Sequence, residues 1–164
     1  HGFNLVNIEI KTLSDIPKAI NHIANTLKTT PVKDTDNFNQ QLNLIKSKQH
    51  KQHSALIQIS DQPIYTVNGI HWMSEAASVC GLNNVFKDLE QLSAAVTLEA
   101  VVLKKPEVII RLEPLKPDSQ LVQWPSIPAI KENNIAVLEA DHFTRPTLRT
   151  LSAIMSLCAQ VDKF

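Results

Sequence analysis

Ala55-Leu56-Ile57-Gln58-Ile59, then the loop Asp61-Gln62-Pro63-Ile64-Tyr65, then residues 70–80 closed by Gly81, make up the stretch whose reading decides the fold. The opening five residues form a short, nearly continuous apolar run, the pattern of a strand buried on both faces. Residues 70–80 read as a helix, and Gly81 stands where a left-handed residue ends one. Further helices and strands follow downstream, with no internal repeat. Thr97 caps a helix running to about Lys105, and Pro106 stops it. Val108-Ile109-Ile110 and Ile135-Ala136-Val137-Leu138 are further buried strands, and Pro146 is expected to open a last helix carrying Leu148, Leu151, Ile154, Met155, Cys158 and Val161. Strands alternating with helices predict an α/β fold with a central, mainly parallel sheet covered on both faces.

Upstream of this core, residues 4–10 alternate around Leu5, Val6, Ile8 and Ile10 and read as a mostly buried strand. Ser14 is a good helix N-cap, Pro17 falls in the first turn, and Ile16, Ile20, Ile23 and Leu27 recur at helical spacing to about Lys28. Residues 29–31 break that pattern. From Asp34 to about His53 the chain turns polar, with Phe38, Leu42 and Ile45 on one helical face. A polar helix with one thin apolar stripe leans on a neighbour on one side only, which suits a connector between two bodies.

Composition removes several function classes. The chain has 164 residues, 43% hydrophobic and 20% charged, and its 16 Lys and Arg balance its 16 Asp and Glu. That is the profile of a globular protein, and a nucleic-acid surface would need a clustered cationic excess. No apolar run approaches a membrane span. With only Gly2, Gly69 and Gly81, no glycine-rich phosphate loop can be built. Neither a Gly-x-Ser-x-Gly elbow nor a His-Glu-x-x-His site occurs. His50 and His53 are the one close histidine pair, read as a solvated helix end rather than a metal site. Cys80 and Cys158 are too far apart for a redox or zinc motif and are either two buried thiols or one long-range disulfide. The chain starts at His1-Gly2-Phe3 with no initiating Met and no leader pattern, so it is expected to begin inside a longer gene product. In an α/β domain, function is expected in loops at the carboxyl ends of strands, which puts forward residues 63–65, the loop before Thr97 and residues 141–145.

The order of these elements resembles the C-terminal lobe of the class III periplasmic substrate-binding proteins, which hand cobalamin, haem or ferric siderophores to ABC importers. The resemblance is carried by Ile57-Gln58-Ile59 through Tyr65 with Ala76-Ala77-Ser78-Val79-Cys80-Gly81-Leu82-Asn83-Asn84-Val85-Phe86. Val96-Thr97-Leu98-Glu99 with Pro106-Glu107-Val108-Ile109-Ile110 continues it, and Asp141-His142-Phe143-Thr144-Arg145-Pro146-Thr147-Leu148-Arg149 completes it. It implies a Rossmann-like three-layer lobe over residues 54–164 and a rigid interlobe helix over 31–53. Residues 1–30 would then be the last strand and helix of a truncated N-terminal lobe.

The same resemblance supplies roles. Cys80 and Cys158 fall where cobalamin-binding members carry a disulfide, Tyr65 where an aromatic ring stacks on the ligand, and Arg145 where an arginine reaches it. Glu99 falls where the family docks a glutamate on the arginines of its permease. At the family's ligand-facing tryptophan this chain has Ser93, and neither Trp72 nor Trp124 obviously replaces it. Read from the residues alone, Tyr65 is either a cleft residue or a core tyrosine, Arg145 ligand-facing or a surface ion pair, and Trp124 a cleft wall or a loop anchor. Phe143 is carried as a ligand-facing candidate with a core position as its alternative. Glu99 favours a helix dipole in any case. Glu113, Asp118 and Asp141 read as solvated or capping carboxylates. The implied function is a non-catalytic periplasmic or lipid-anchored receptor half. Its first ligand is cobalamin, with ferric siderophore or haem second, and its partners are an inner-membrane ABC permease and the missing lobe. The contrasting reading is an α/β enzyme domain whose catalytic residues lie elsewhere.

Overall fold

The structure, a computed structural model, describes residues 5–30, 33–112 and 119–164. Glu113 and Asp118 of the sequence reading, and residues 31 and 32 at the start of the expected interlobe helix, lie outside them. In chain order the elements are α1 (Asp15–Thr26), α2 (Asp34–Lys46), β1 (His53–Gln58), β2 (Ile64–Val67), α3 (Trp72–Val79), β3 (Leu82–Asn84), β4 (Ser93–Val96), α4 (Leu98–Lys104) and β5 (Val108–Arg111). A 3-10 turn at Gln120–Gln123 precedes α5 (Pro128–Lys131), β6 (Ile135–Val137), α6 (Ala140–Thr144) and α7 (Thr150–Val161). The main sheet runs β3-β1-β5-β6 with every pairing parallel, and β2 and β4 form a separate antiparallel ribbon. The predicted mainly parallel α/β architecture is therefore the observed one.

Successive strand residues point to opposite faces, and that alternation builds two cores. Ala55, Ile57, Val108, Ile110 and Ala136 face one side, where Leu13, Ile16, Phe38, Leu42, Trp72, Ile154 and Leu157 from α1, α2, α3, α7 and the α1 approach pack against them. Leu56 and Ile109, with part-buried Ile135, face the other side and meet Ile64, Phe86, Val101, Leu121, Ile127 and Ala129. Because both faces are covered, the strands need apolar residues at every position, which is why they were legible as runs.

Cys80, at the C-terminus of α3, is bonded to Cys158 of α7. Gly81 follows with φ +79°, and a Cβ there would stand 2.5 Å from the Lys51 carbonyl oxygen. Both the backbone angle and the close approach require glycine. At α4, Thr97 Oγ1 accepts from the Ala100 N–H at 3.2 Å, and Lys105 takes a left-handed φ of 47° before Pro106. Start and stop match the expectation.

Several elements differ from it. Residues 5–10 form no strand, and Leu5 is 94% exposed. Among the described residues no strand lies beside them, and an isolated strand leaves its backbone groups without a ladder. The α1 stripe is buried at Ile16 but exposed at Ile23 and Leu27. Ser14 sits at the N-cap with helical backbone and makes no side-chain cap bond. Asp15 caps instead, its Oδ2 accepting from the Thr12 hydroxyl at 2.8 Å and from the Thr12 and Lys11 N–H groups at 3.0 and 3.3 Å. The Thr12 hydroxyl first, then Lys18 and the Thr12 N–H, lower its pKa from 3.8 to about 2. Stability from this cap is thus present above the ordinary value of 3.8 and lost as pH falls through about 2. Thr12→Val is expected to move the carboxyl back towards its ordinary value, read as the midpoint of a carbon-13 NMR titration.

The polar helix α2 buries Phe38, Leu42 and Ile45 as predicted, but ends at Lys46 rather than near residue 53. His53 opens β1 and is buried, and His50 Nδ1 lies 3.0 Å from Asp162 Oδ1, so the histidine pair is not a solvated helix end. Pro146 does not open the last helix. The chain makes one turn at α6, and α7 begins at Thr150, whose Oγ1 accepts from the Thr147 N–H and donates to the Arg145 carbonyl.

Candidate functional site

In a parallel sheet all strands end at one edge, and here the chain leaves that edge at each candidate segment. From β1 it turns through residues 60–63 into β2. The Ile59 N–H donates to the Tyr65 carbonyl at 2.9 Å and the Tyr65 N–H to the Ser60 carbonyl at 3.4 Å, folding β2 back beside the end of β1. The Gln62–Pro63 peptide within this turn is cis. Tyr65 therefore lies in a strand, not in the loop expected from Pro63. Its partner is Ala95, with Val67 opposite Ser93. Residues two apart share a face of a strand, so Tyr65, Ala95 and Ser93 lie on one side of the ribbon, and all three are exposed. The ring is 42% exposed. An aromatic side chain beside two small residues makes an open, nearly flat platform on which a planar group can lie.

The far end of the ribbon is fixed by buried polar groups. Asn84 Nδ2 donates to the Val67 carbonyl and to Ser74 Oγ, at 2.8 and 2.9 Å, and Ser74 Oγ donates to the Asn68 carbonyl at 2.6 Å. An apolar depression of about 420 Å³ adjoins this end, bounded by Ile10, Thr12, Ile70, Trp72 and Leu92. At its wall His71 caps α3, its Nδ1 accepting from the Met73 N–H, and burial holds its pKa below the ordinary histidine value. A larger groove of about 550 Å³ between α2 and α7, lined by Leu44, Met155 and Cys158, belongs to the opposite part of the molecule from the ribbon.

The other candidates divide. Arg145 follows α6, which leaves the end of β6, and its side chain is 68% exposed with Nη1 3.4 Å from Asp141 Oδ1. It thus comes off the same sheet edge as Tyr65. Glu99 is exposed in the first turn of α4, the helix that returns the chain to the start of β5, so it lies towards that edge too. Its own N–H, then the Thr97 hydroxyl, hold its carboxyl below the usual glutamate range. Trp124 is 40% exposed, but on the segment that descends to α5, where the Ala129 N–H donates to the Pro106 carbonyl before β5. Phe143 is a correction: it has no exposed surface and stands edge-on to Trp72 at 6.1 Å between ring centroids. It faces inward because α6 must bury one face against α7 and Trp72 of α3, and the short helix has no other large apolar group to do so.

Sequence reasoning missed one cluster at this edge. Arg111 ends β5 with a side chain only 3% exposed, its Nη1 2.9 Å from Gln58 Oε1 and 3.4 Å from Asp61 Oδ1. Gln58 Nε2 and Ser119 Oγ each donate to the same Asp61 oxygen at 2.8 Å. The available signal was a charged residue closing an otherwise apolar strand. Among the described residues no three His, Cys, Asp or Glu side chains converge as metal ligands, and no helix is long and apolar enough to cross a membrane.

Comparison with known proteins agrees with this architecture. No family model matches the chain. A vitamin B12-binding protein of Vibrio parahaemolyticus is 33% identical over 129 residues, covering 76% of this chain and 47% of that protein. The crystal structure of the periplasmic vitamin B12-binding protein of Vibrio cholerae matches with a TM-score of 0.89 at 29% identity, over 99% of this chain and 66% of that one. The chain is similar along most of its length to proteins named for vitamin B12 binding. It spans about half the length of the curated relatives it matches. A possible iron-binding, periplasmic solute-binding protein of Staphylococcus epidermidis shares the fold, with a TM-score of 0.79 at 18% identity over 95% of this chain and 65% of that one.

Proposed function

We propose that this chain is the C-terminal lobe, with its interlobe helix, of a two-lobed periplasmic receptor that binds cobalamin and delivers it to an ABC permease. The observation that carries this reading is similarity along 96% of the chain to proteins named for vitamin B12 binding. The receptor works by recognition and release, without catalysis. Tyr65 supplies a face for the corrin plane, and Arg145 a fixed fork of donors for groups at the ligand's rim. Residues 1–30 lead in from the partner lobe, with Leu13 and Ile16 buried against this one, and α2 joins the two, which accounts for the apolar groups left bare at Leu5, Val6, Ile23 and Leu27. The protein acts in the periplasm, free or lipid-anchored.

Calorimetric titration of the full-length receptor with cyanocobalamin, haem and a ferric siderophore tests the ligand. Cobalamin should bind most tightly, and preference for haem or siderophore would replace it. Tyr65→Ala should weaken cobalamin binding by about 1–3 kcal/mol, the scale of one buried aromatic contact. Unchanged affinity in the Tyr65→Ala/Arg145→Ala double variant would remove this wall from the site.

Docking is tested separately. Glu99 is exposed at a helix start, and a charge at the rim of an interface governs docking more than folding. Glu99→Ala is expected to leave cobalamin affinity at the unsubstituted value while uptake through the reconstituted permease falls. Wild-type uptake by that variant rejects the docking role.

A further inference from the structure

Asp61 is the point at which three separate parts of the chain meet below the aromatic platform. Gln58 reaches it from β1, Arg111 from the adjacent position in β5, and Ser119 from the segment before the 3-10 turn. All three donors converge on one carboxylate oxygen. Gln58, Arg111 and Ser119 are each at most 3% exposed, so water does little to screen the arrangement. Three residues beyond Asp61 the backbone enters β2, and Tyr65 is bonded back to residues 59 and 60, immediately before this anchor. The direction in which the Tyr65 ring leaves the ribbon is therefore set by the turn that Asp61 holds.

Stability alone is a weak reason for such a cluster. A buried ion pair loses much of its attraction to desolvation, and apolar residues of similar volume often hold a fold equally well. What the pair supplies is a single geometry, because a guanidinium and a carboxylate fix each other's direction as apolar side chains do not. Here that fixed geometry sits where the chain leaves the sheet for its exposed aromatic residue.

We propose that Asp61, clamped by Arg111 and Ser119, is the positioning residue that sets Tyr65 for ligand contact. This rests on the reading of Tyr65 as part of the ligand wall. Arg111 and Asp61 act from below and do not touch the ligand themselves. Their effect on affinity is exerted through one ring, whose orientation can be observed without any ligand.

Tyr65 is the only tyrosine of the chain, so incorporation of 3-fluorotyrosine gives one fluorine resonance that reports on it alone. The unsubstituted chain should show one narrow line. Asp61→Asn and Arg111→Met should displace or split that line while cooperative urea unfolding persists. Ser119→Ala removes one donor and no charge, and gives the same reading should Arg111→Met fail to fold. In the full-length receptor, Asp61→Asn should weaken cobalamin binding about threefold, less than removing the ring itself. Folded variants whose fluorine line stays in place overturn the proposal, whatever their affinity. A displaced line with unchanged cobalamin affinity supports the positioning and instead overturns the assignment of Tyr65 to the ligand wall.

Discussion

Replacing Cys80 and Cys158 together by alanine is expected to lower the stability of the folded chain by roughly 4.5 kcal/mol. The figure follows from the sequence separation of 78 residues, which the bond closes into one long loop. Without it the denatured chain regains the freedom of that loop, while the native α3–α7 contact remains largely packed. Cys80 is fully buried and Cys158 nearly so, so two alanines also leave a small void beside Ile154, whose carbonyl lies 3.4 Å from Cys80 Sγ. Urea titration of the oxidised chain and the double variant measures the difference as a shift of midpoint at unchanged slope. A loss below about 1 kcal/mol would mean that α3 and α7 stay associated in the denatured chain, so that the bond constrains little. A stability of ordinary size is only about 5–15 kcal/mol, so the predicted loss takes a large part of it. Bonds of this kind persist in oxidising compartments, which agrees with the periplasmic site proposed above.

What could be read from the sequence follows from how local each signal was. β1, β5 and β6 are buried on both faces, so their apolar runs announced them without knowledge of their neighbours. The α4 boundaries depend on Thr97, Lys105 and Pro106, which act within a turn of where they stand. The ribbon was missed because β4 is built from Ser93, Ala94 and Ala95 before Val96 and carries almost no strand signal, while Pro63 made β2 look like a loop. Residues 5–10 erred the other way: their alternation needs a neighbouring strand that the described residues do not provide. Of the candidate residues, Tyr65, Glu99 and Arg145 are exposed, as the resemblance implied. The site was illegible where a distant partner decides. Nothing next to Arg111 in the sequence marks it as buried, because the partners that accept from its guanidinium, Gln58 and Asp61, stand about fifty residues earlier in the chain.

Phe143 is the second case of a distant partner, and it carries the other large prediction. Its neighbour Trp72 belongs to α3, and the two rings meet edge to face with an interplanar angle of 62°. Such a pair gains about 0.5–1.5 kcal/mol beyond the area it buries. Phe143→Ala is therefore expected to cost about 3–5 kcal/mol, the range for deleting a fully buried aromatic side chain whose cavity cannot collapse. Phe143→Leu keeps most of the volume and should cost less than about 1.5 kcal/mol. The contrast separates a core role from a ligand-facing one, because a ligand-facing ring would show little stability loss in either variant. The effect also reaches function through the chain. α6 spans only Ala140–Thr144, too short to hold itself together, and Phe143 is its buried residue. With the ring gone, α6 loses its hold on α3 and α7, and Arg145, directly after it, loses its fixed place at the sheet edge. Urea titration gives the stability, Trp72 fluorescence in a Trp124→Phe background reports loss of the edge-to-face contact, and calorimetry on the full-length receptor gives the affinity. Phe143→Leu should bind cobalamin as the unsubstituted receptor does. A Leu variant that keeps its stability but loses binding would return Phe143 to the ligand wall.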